Sequence, residues 1–231
     1  MMTDGKPSTD DTDRRSARQP DRVSPPRIYL VRHGETAWSL TGQHTGKTDI
    51  ALTQHGEAQA LALAQVLGAI EFGHVLTSPA VRARRTCELA GFTAQAVMSA
   101  DLAEWDYGDY EGKRSSDIRK LRPDWNVFQD GCPGGDSVRD VTGRADRVIA
   151  SLRALSGAVL MFSHEQFGCS LAARWIGLPV AVAQHLQMDP ASIGVLAYNP
   201  THPEMAVIAQ WNNTAAMRVQ HSQTSRLTND A

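Results

Sequence analysis

From residue 27 onward, short apolar runs of β character alternate with segments of helical periodicity, and this alternation limits the possible folds more than any other feature of the chain. Strand-like runs fall at 27–32, 74–78, 95–98, 158–163, 193–198 and 205–210. Helical patterns fall at 53–69, opening on Thr53 as N-cap, and at 79–90, 137–155, 165–176 and 180–188. Near-continuous apolar strands are buried on both faces, and the helices between them supply the two covers. The expected architecture is α/β, a sheet with helices on both sides. In open sheets of this kind the strand ends converge on one crevice, so the residues just after each strand matter most. No internal repeat interrupts the pattern.

Residues 1–26 are rich in Asp, Arg, Ser and Pro and carry almost no large apolar side chain, so burial cannot offset the entropy of ordering them. They are expected to form a disordered tail, followed by one domain over 27–215 and a flexible C-terminal tail over 216–231. With 42% hydrophobic and 21% charged residues the composition is that of an ordinary globular protein. A formal charge of −2 gives no general attraction for nucleic acid, so any cationic site must be assembled locally. Apolar runs such as "AVLMF" at 158–162 fall far short of the ~20 residues that span a bilayer. The N-terminus shows no basic patch followed by an apolar stretch, and a cytoplasmic enzyme is expected. Cys87, Cys132 and Cys169 have neither the even count of a disulfide framework nor the close spacing of a zinc site, and read as reduced structural thiols.

One segment breaks the alternation. Residues 104–136 are aromatic, acidic and glycine-rich, and a long irregular stretch inside a domain is more often a functional loop or lid than filler. Candidate chemistry clusters at its start and at the strand ends: Arg32 and His33 after the first strand, Arg82 after "VLTSP", Glu104, and His164 after "AVLMFS". Two arginines and two histidines at one sheet edge make a pocket of fixed positive charge, and guanidinium forks match phosphate oxygens. Among arginines, His33 should resist protonation and keep a lone pair for nucleophilic attack. Gly34 lets the backbone approach a phosphate and clears the line of attack. An alkoxide leaves badly unless protonated, and Glu104 can supply that proton and later activate water.

The blocks "LVRHGETAW", "TGKTDIALTQHGEAQA", "LTSPAVRARRT", "LAEWDYGDYEG" and "FSHEQ" together resemble the histidine phosphatase, or phosphoglycerate mutase-like, superfamily over about residues 28–211. The resemblance implies a three-layer fold with a mixed, mostly parallel sheet, and no metal or other cofactor. It implies that His33 is the phosphorylated histidine, that Arg32, Arg82 and His164 hold the phosphate, and that Glu104 is the proton donor. Within the superfamily "GQHTGKTD", "EWDYGDYEG" and "WNVFQDGCPGGDS" are similar to sugar-phosphate phosphatases of the fungal sedoheptulose-bisphosphatase type. The mutases of the superfamily carry an Arg just after the catalytic Glu, where this chain has Trp105, and their paired arginines for a substrate carboxylate have no counterpart here. A small phosphate ester is thus the implied partner, without nucleic acid or membrane, and a homo-oligomer stays open. A mutase and a phosphate-binding scaffold without turnover are the alternatives.

Further positions carry two readings each. Gln43, Thr45 and Gly46 either contact substrate or form a plain turn. Ser39 stands where many relatives have Asn, and its hydroxyl can donate one bond. Tyr107 is either a pocket residue or a packed aromatic. Arg84 and Arg85 read as solvated or structural, and His44, His55, His74, His185 and His202 as loop or surface residues without chemistry. At "HEQFGC" (164–169) the resembling branch has His-Gly-His with an Arg further on, whereas this chain has Glu165, Gln166 and Cys169. In a first helical turn Glu165 satisfies the helix dipole and is expected to point into solvent; turned to the pocket instead, it would oppose a substrate dianion.

Overall fold

The computed structural model describes Met1 and residues 24–214. The expected N-terminal tail, apart from Met1 and 24–26, and the expected C-terminal tail lie outside the described residues.

Six strands form one sheet: β1 (Arg27–Arg32), β2 (His74–Thr77), β3 (Ala96–Met98), β4 (Ala158–Ser163), β5 (Ile193–Tyr198) and β6 (Ala206–Asn213). The strand order is β3-β2-β4-β1-β5-β6. β1, β2, β3 and β4 pair in parallel, whereas β5 runs antiparallel to both β1 and β6. Seven helices accompany it among the described residues: α1 (Ala37–Thr41), α2 (Gln54–Leu67), α3 (Val81–Leu89), α4 (Ser115–Arg119), α5 (Val127–Asp130), α6 (Val138–Arg153) and α7 (Glu165–Trp175). The sheet is therefore mixed and mostly parallel, with helices on both faces.

Alternation along the central strands builds two cores. Ile28 and Leu30 of β1 and Val159 and Met161 of β4 face α6 and α7. Val31, Leu160 and Phe162 point the other way, into a core shared with Leu63 and Leu67 of α2 and Cys87 of α3. Because both faces are dry, a one-residue slip of β1 against β4 would exchange two buried sets, and the register Ile28 to Val159 through Arg32 to Ser163 is firmly set. Helix starts follow local chemistry. The Thr53 hydroxyl accepts from the Gly56 N–H to open α2, and Ser137 and Asp140 form a reciprocal capping box that opens α6.

Two expectations change in form. The helical pattern at 180–188 is a 3₁₀ segment, Val180–His185, whose buried Val180 and Ala183 are spaced for that tighter turn. The chain then extends, which brings the Met188 carbonyl to the Arg32 guanidinium. The irregular stretch 104–136 holds a 3₁₀ turn at Gly108–Tyr110 together with α4 and α5. Trp105, Tyr107, Ile118, Trp125 and Phe128 are buried in the α6/α7 core, so this stretch is a packed wall rather than a free lid.

Candidate active site

The carboxyl edge of the parallel strands gathers the predicted residues. The His33 N–H donates to the Ser163 carbonyl and the Ser78 N–H to the Phe162 carbonyl, so the residues leaving β1, β2 and β4 are tied to one another. His33, Arg82 and His164 are all buried, and the rings of His33 and His164 stand edge to face with centroids 5.3 Å apart.

The protonation state of His33 follows from one hydrogen bond. Its Nδ1 lies 2.8 Å from the Gly34 carbonyl, which can only accept, so Nδ1 carries the proton and Nε2 keeps the lone pair. Burial, Arg82 and Arg32, in that order, hold its pKa well below the ordinary value. A neutral imidazole with an open Nε2 is the form a nucleophile needs. His164 is likewise pushed well below its usual range, first by burial and then by Arg82, His33 and Arg32. Its Nε2 meets the Ser78 hydroxyl at 2.7 Å, and Ser78 Oγ accepts a long bond from the Ala80 N–H. If the hydroxyl proton goes to Nε2, Nδ1–H is left as a donor.

The two arginines are partly used by the protein. Arg82 donates to the carbonyls of Thr45, Gly46 and Thr48 and so clamps the loop that follows α1. Arg32 donates to the Met188 carbonyl and pairs with Glu165 at 2.7 Å. Arg32 Nε, Arg82 Nε and His164 Nδ1 are buried without any partner, three of the five such side-chain atoms among the described residues. Unmade bonds of this kind cost stability unless a ligand completes them, and all three belong to residues that neighbour His33.

Glu104 lines the same cavity as His33. Its carboxylate accepts from the N–H groups of Trp105, Gln166 and Phe167, the last two in the first turn of α7. Burial raises its pKa, against the pull of those three N–H groups and of Arg82. Arg144 holds the peptide behind it, donating to the carbonyls of Ala103 and Glu104 and to Asp136 while lying 4.5 Å over the Phe167 ring.

A cavity of about 160 Å3 opens here, lined by Arg32, His33, Gln43, His44, Tyr107 and Glu165 among others. Ser39 and Thr45 also line it, but several of these groups are already committed. The Ser39 hydroxyl is spent in the capping box with Thr36 that opens α1. The Gln43 amide donates to the Gly112 carbonyl and accepts from the Thr41 hydroxyl. Tyr107 is buried and its hydroxyl donates to Gln166 Oε1, so it is packed and pocket-lining at once. Gly34 and Gly46 do not line this cavity. A Cβ on Gly34 would meet the Gly56 carbonyl oxygen at 2.4 Å, so the close approach it serves is to the start of α2. A Cβ on Gly46 would meet the Trp105 carbonyl oxygen at 2.5 Å, and Gly46 borders a larger cavity on the other side of Glu104.

Two readings are corrected. Glu165 does not point into solvent; it lines the cavity and pairs with Arg32, because the first turn of α7 faces the end of β1. His44 is no surface residue: it is buried, stacks on Tyr107 with centroids 4.6 Å apart, meets Ser115 Oγ at 3.1 Å and lines the cavity. Burial, aided by Arg119, lowers its pKa to about 4. His55, His74, His185 and His202 are exposed, and Arg85 pairs with Glu57 and Glu88 outside the site. Ser78 and Arg144 escaped the sequence reading altogether, and Gln166 entered it only as a departure from the resembling branch; a polar residue at a strand end was the available signal for Ser78. Trp105 is buried and donates to Ser170, so no cation stands beside Glu104 at that position. Among the described residues no cluster of three His, Cys, Asp or Glu side chains could hold a metal ion, and no helix is long and apolar enough to cross a membrane.

The family model described as the histidine phosphatase superfamily (branch 1) matches residues 28–214. An acid phosphatase of Mycobacterium tuberculosis is 43% identical over 186 residues, covering 79% of this chain and 91% of that protein. The sedoheptulose 1,7-bisphosphatase of Saccharomyces cerevisiae is 34% identical over 187 residues, covering 67% of this chain and 69% of that protein. The solved structure of an open reading frame product from M. tuberculosis superposes with a TM-score of 0.77 at 40% identity, over 82% of this chain and 98% of that one.

Proposed function

The chain belongs to the histidine phosphatase superfamily and is a phosphomonoesterase; on that premise we propose that it hydrolyses a small sugar phosphate in the cytoplasm through a phosphohistidine on His33, with residues 27–215 as the catalytic unit. The phosphate binds among Arg32, Arg82 and His164. His33 Nε2 attacks phosphorus in line as the ester P–O bond breaks, and Glu104 gives its proton to the leaving oxygen. Water then attacks the phosphohistidine, Glu104 takes back a proton, and the imidazole leaves with its lone pair restored. The products are an alcohol and inorganic phosphate. There is little covalent work for the protein in such a transfer beyond holding charge in place, which fixed guanidinium and imidazole groups do without reorganising.

The observation that carries this reading is the set of three buried, unpartnered nitrogens around His33. A raised Glu104 pKa supports the acid step, because the group must hold a proton before it can give one. The test is turnover of an aryl phosphate by His33→Ala. A folded variant should lose activity by at least about 10⁴-fold, as when a covalent nucleophile is removed elsewhere. Retention of near wild-type turnover would refute the covalent route. Addition of a bisphosphoglycerate should not convert the enzyme into a phosphoglycerate mutase, since Trp105 gives a substrate carboxylate no partner.

A further inference from the structure

The Arg32–Glu165 pair sits where the phosphate must go. Glu165 Oε2 lies 2.7 Å from one terminal nitrogen of Arg32, which also donates to the Met188 carbonyl, while Arg32 Nε is buried and free. Half of the guanidinium fork is therefore held by a carboxylate of the protein itself. The Arg32 side chain is only 11% exposed, so the pair cannot be dismissed as a solvated surface contact.

We propose that Glu165 determines which charge state of a phosphate group the pocket accepts: ionised, it competes with the substrate dianion for Arg32, and protonated, it releases the guanidinium to the substrate. Binding of a dianion then takes up one proton. This rests on the phosphatase reading, because it assigns Arg32 to the substrate phosphate.

The surroundings favour that proton uptake. Burial and the carboxylate of Asp189 press Glu165 toward its neutral form, and Arg32 alone opposes them. Asp189 is fixed by hydrogen bonds with Asn212 and Gln187, so its charge stays in place when substrate arrives. Tyr107 and Cys169 also face this carboxylate, and both are driven above their ordinary values by burial, so they remain neutral. His33, His44 and Glu104 line the same cavity. The two histidines are held neutral, so near neutral pH the titrating groups that can change the pocket's charge are Glu165 and Glu104. A phosphate ester itself titrates near pH 6, which would blur the effect.

Sulfate removes that ambiguity, because its charge is the same from mildly acidic to slightly alkaline solution. Its inhibition constant against an aryl phosphate, and its binding heat in buffers of different ionisation enthalpy, are to be measured between about pH 5 and pH 8. Wild type should bind sulfate progressively more weakly as pH rises and take up a proton on binding. Glu165→Gln should bind about tenfold more tightly near neutrality, with most of that slope and proton uptake gone. Glu165→Ala repeats the comparison without a side-chain amide, and a thermal melt reports folding of each. If the variants keep the wild-type slope and affinity, Glu104 or the histidines set the pH dependence and this inference is wrong. If wild type binds no sulfate competitively at any pH, the phosphate assignment of Arg32 itself fails.

Discussion

Two cavities flank Glu104, and they differ in how their charges are matched. In the larger, about 420 Å3, each cation has a carboxylate: Lys47 pairs with Asp106 and Arg144 with Asp136. In the smaller, about 160 Å3, Arg32, His33 and His44 stand with the carboxylates of Glu104 and Glu165, and beside His33 the buried Arg32 Nε, Arg82 Nε and His164 Nδ1 have no partner. Volume alone would not select the cavity that the proposed function uses. A protein does not leave buried donors unpaired without cause, since each costs roughly 1–3 kcal/mol. On the proposed function, the satisfied network beside the larger cavity is a structural brace, and the unsatisfied one is where an anion completes the bonding.

The comparison breaks most readily at the shared wall. Glu104→Gln keeps shape but removes the proton, and turnover of alkyl phosphates should fall by about 10²–10⁴-fold. Loss with an aryl phosphate should be smaller, because a phenoxide leaves with little protonation. Equal losses with both substrates would remove Glu104 from the acid role.

The brace is tested next. Arg144→Met frees the carbonyls of Ala103 and Glu104 and should lower kcat by about 10–100-fold through misplacement of the Glu104 carboxylate, with KM little changed. The loss should again be greater for alkyl than for aryl phosphates, a dependence that general loosening of the fold would not produce. Lys47 is 79% exposed in its side chain, and Lys47→Ala should change kcat/KM by less than about threefold. A large loss at Lys47 would mean that the larger cavity belongs to the reaction after all.

Much of this site was legible in the sequence, and the reason is topological. A parallel sheet sends its strand ends to one edge, so Arg32, His33 and His164 could be placed together from apolar patterning alone. What remained hidden depends on contacts that periodicity does not encode. His44 sits in a loop whose burial comes from Tyr107 and Trp125 on the 104–136 wall, far away in sequence. Glu165 occupies a first helical turn, where side chains point to solvent or to the neighbouring strand according to the helix's rotation, and packing of Phe167 and Leu171 in the core fixes that rotation. Gly34 was legible as a glycine needed for a close approach, but the partner is the backbone of Gly56, which sequence spacing does not reveal. The same holds for the 3₁₀ turns at 180–185, where an apolar pattern suits either helix type.

A smaller effect sharpens the contrast between a buried neutral histidine and a solvated one. With its folded-state pKa depressed to about 4, His44 is neutral in the fold but charges in the unfolded chain. Its contribution to stability is therefore present above the unfolded value near pH 6.5 and is lost as pH falls toward about 4. Urea unfolding of His44→Phe should show a shallower decline than wild type across that window, although loss of the Ser115 contact lowers its stability at neutral pH by about 1 kcal/mol. Parallel curves for the two proteins would place the acid sensitivity elsewhere.

The most direct test of the account is to catch the intermediate. Glu104→Gln, mixed with an aryl phosphate and quenched in alkali, should accumulate one phosphate per chain, because the first step proceeds while water is no longer activated. Digestion and mass spectrometry should place that phosphate on His33, and NMR should place it on Nε2, the nitrogen opposite the Nδ1 that donates to the Gly34 carbonyl. No trapped phosphate at any time during turnover, or phosphate on His164 or a hydroxyl in place of His33, would contradict the account.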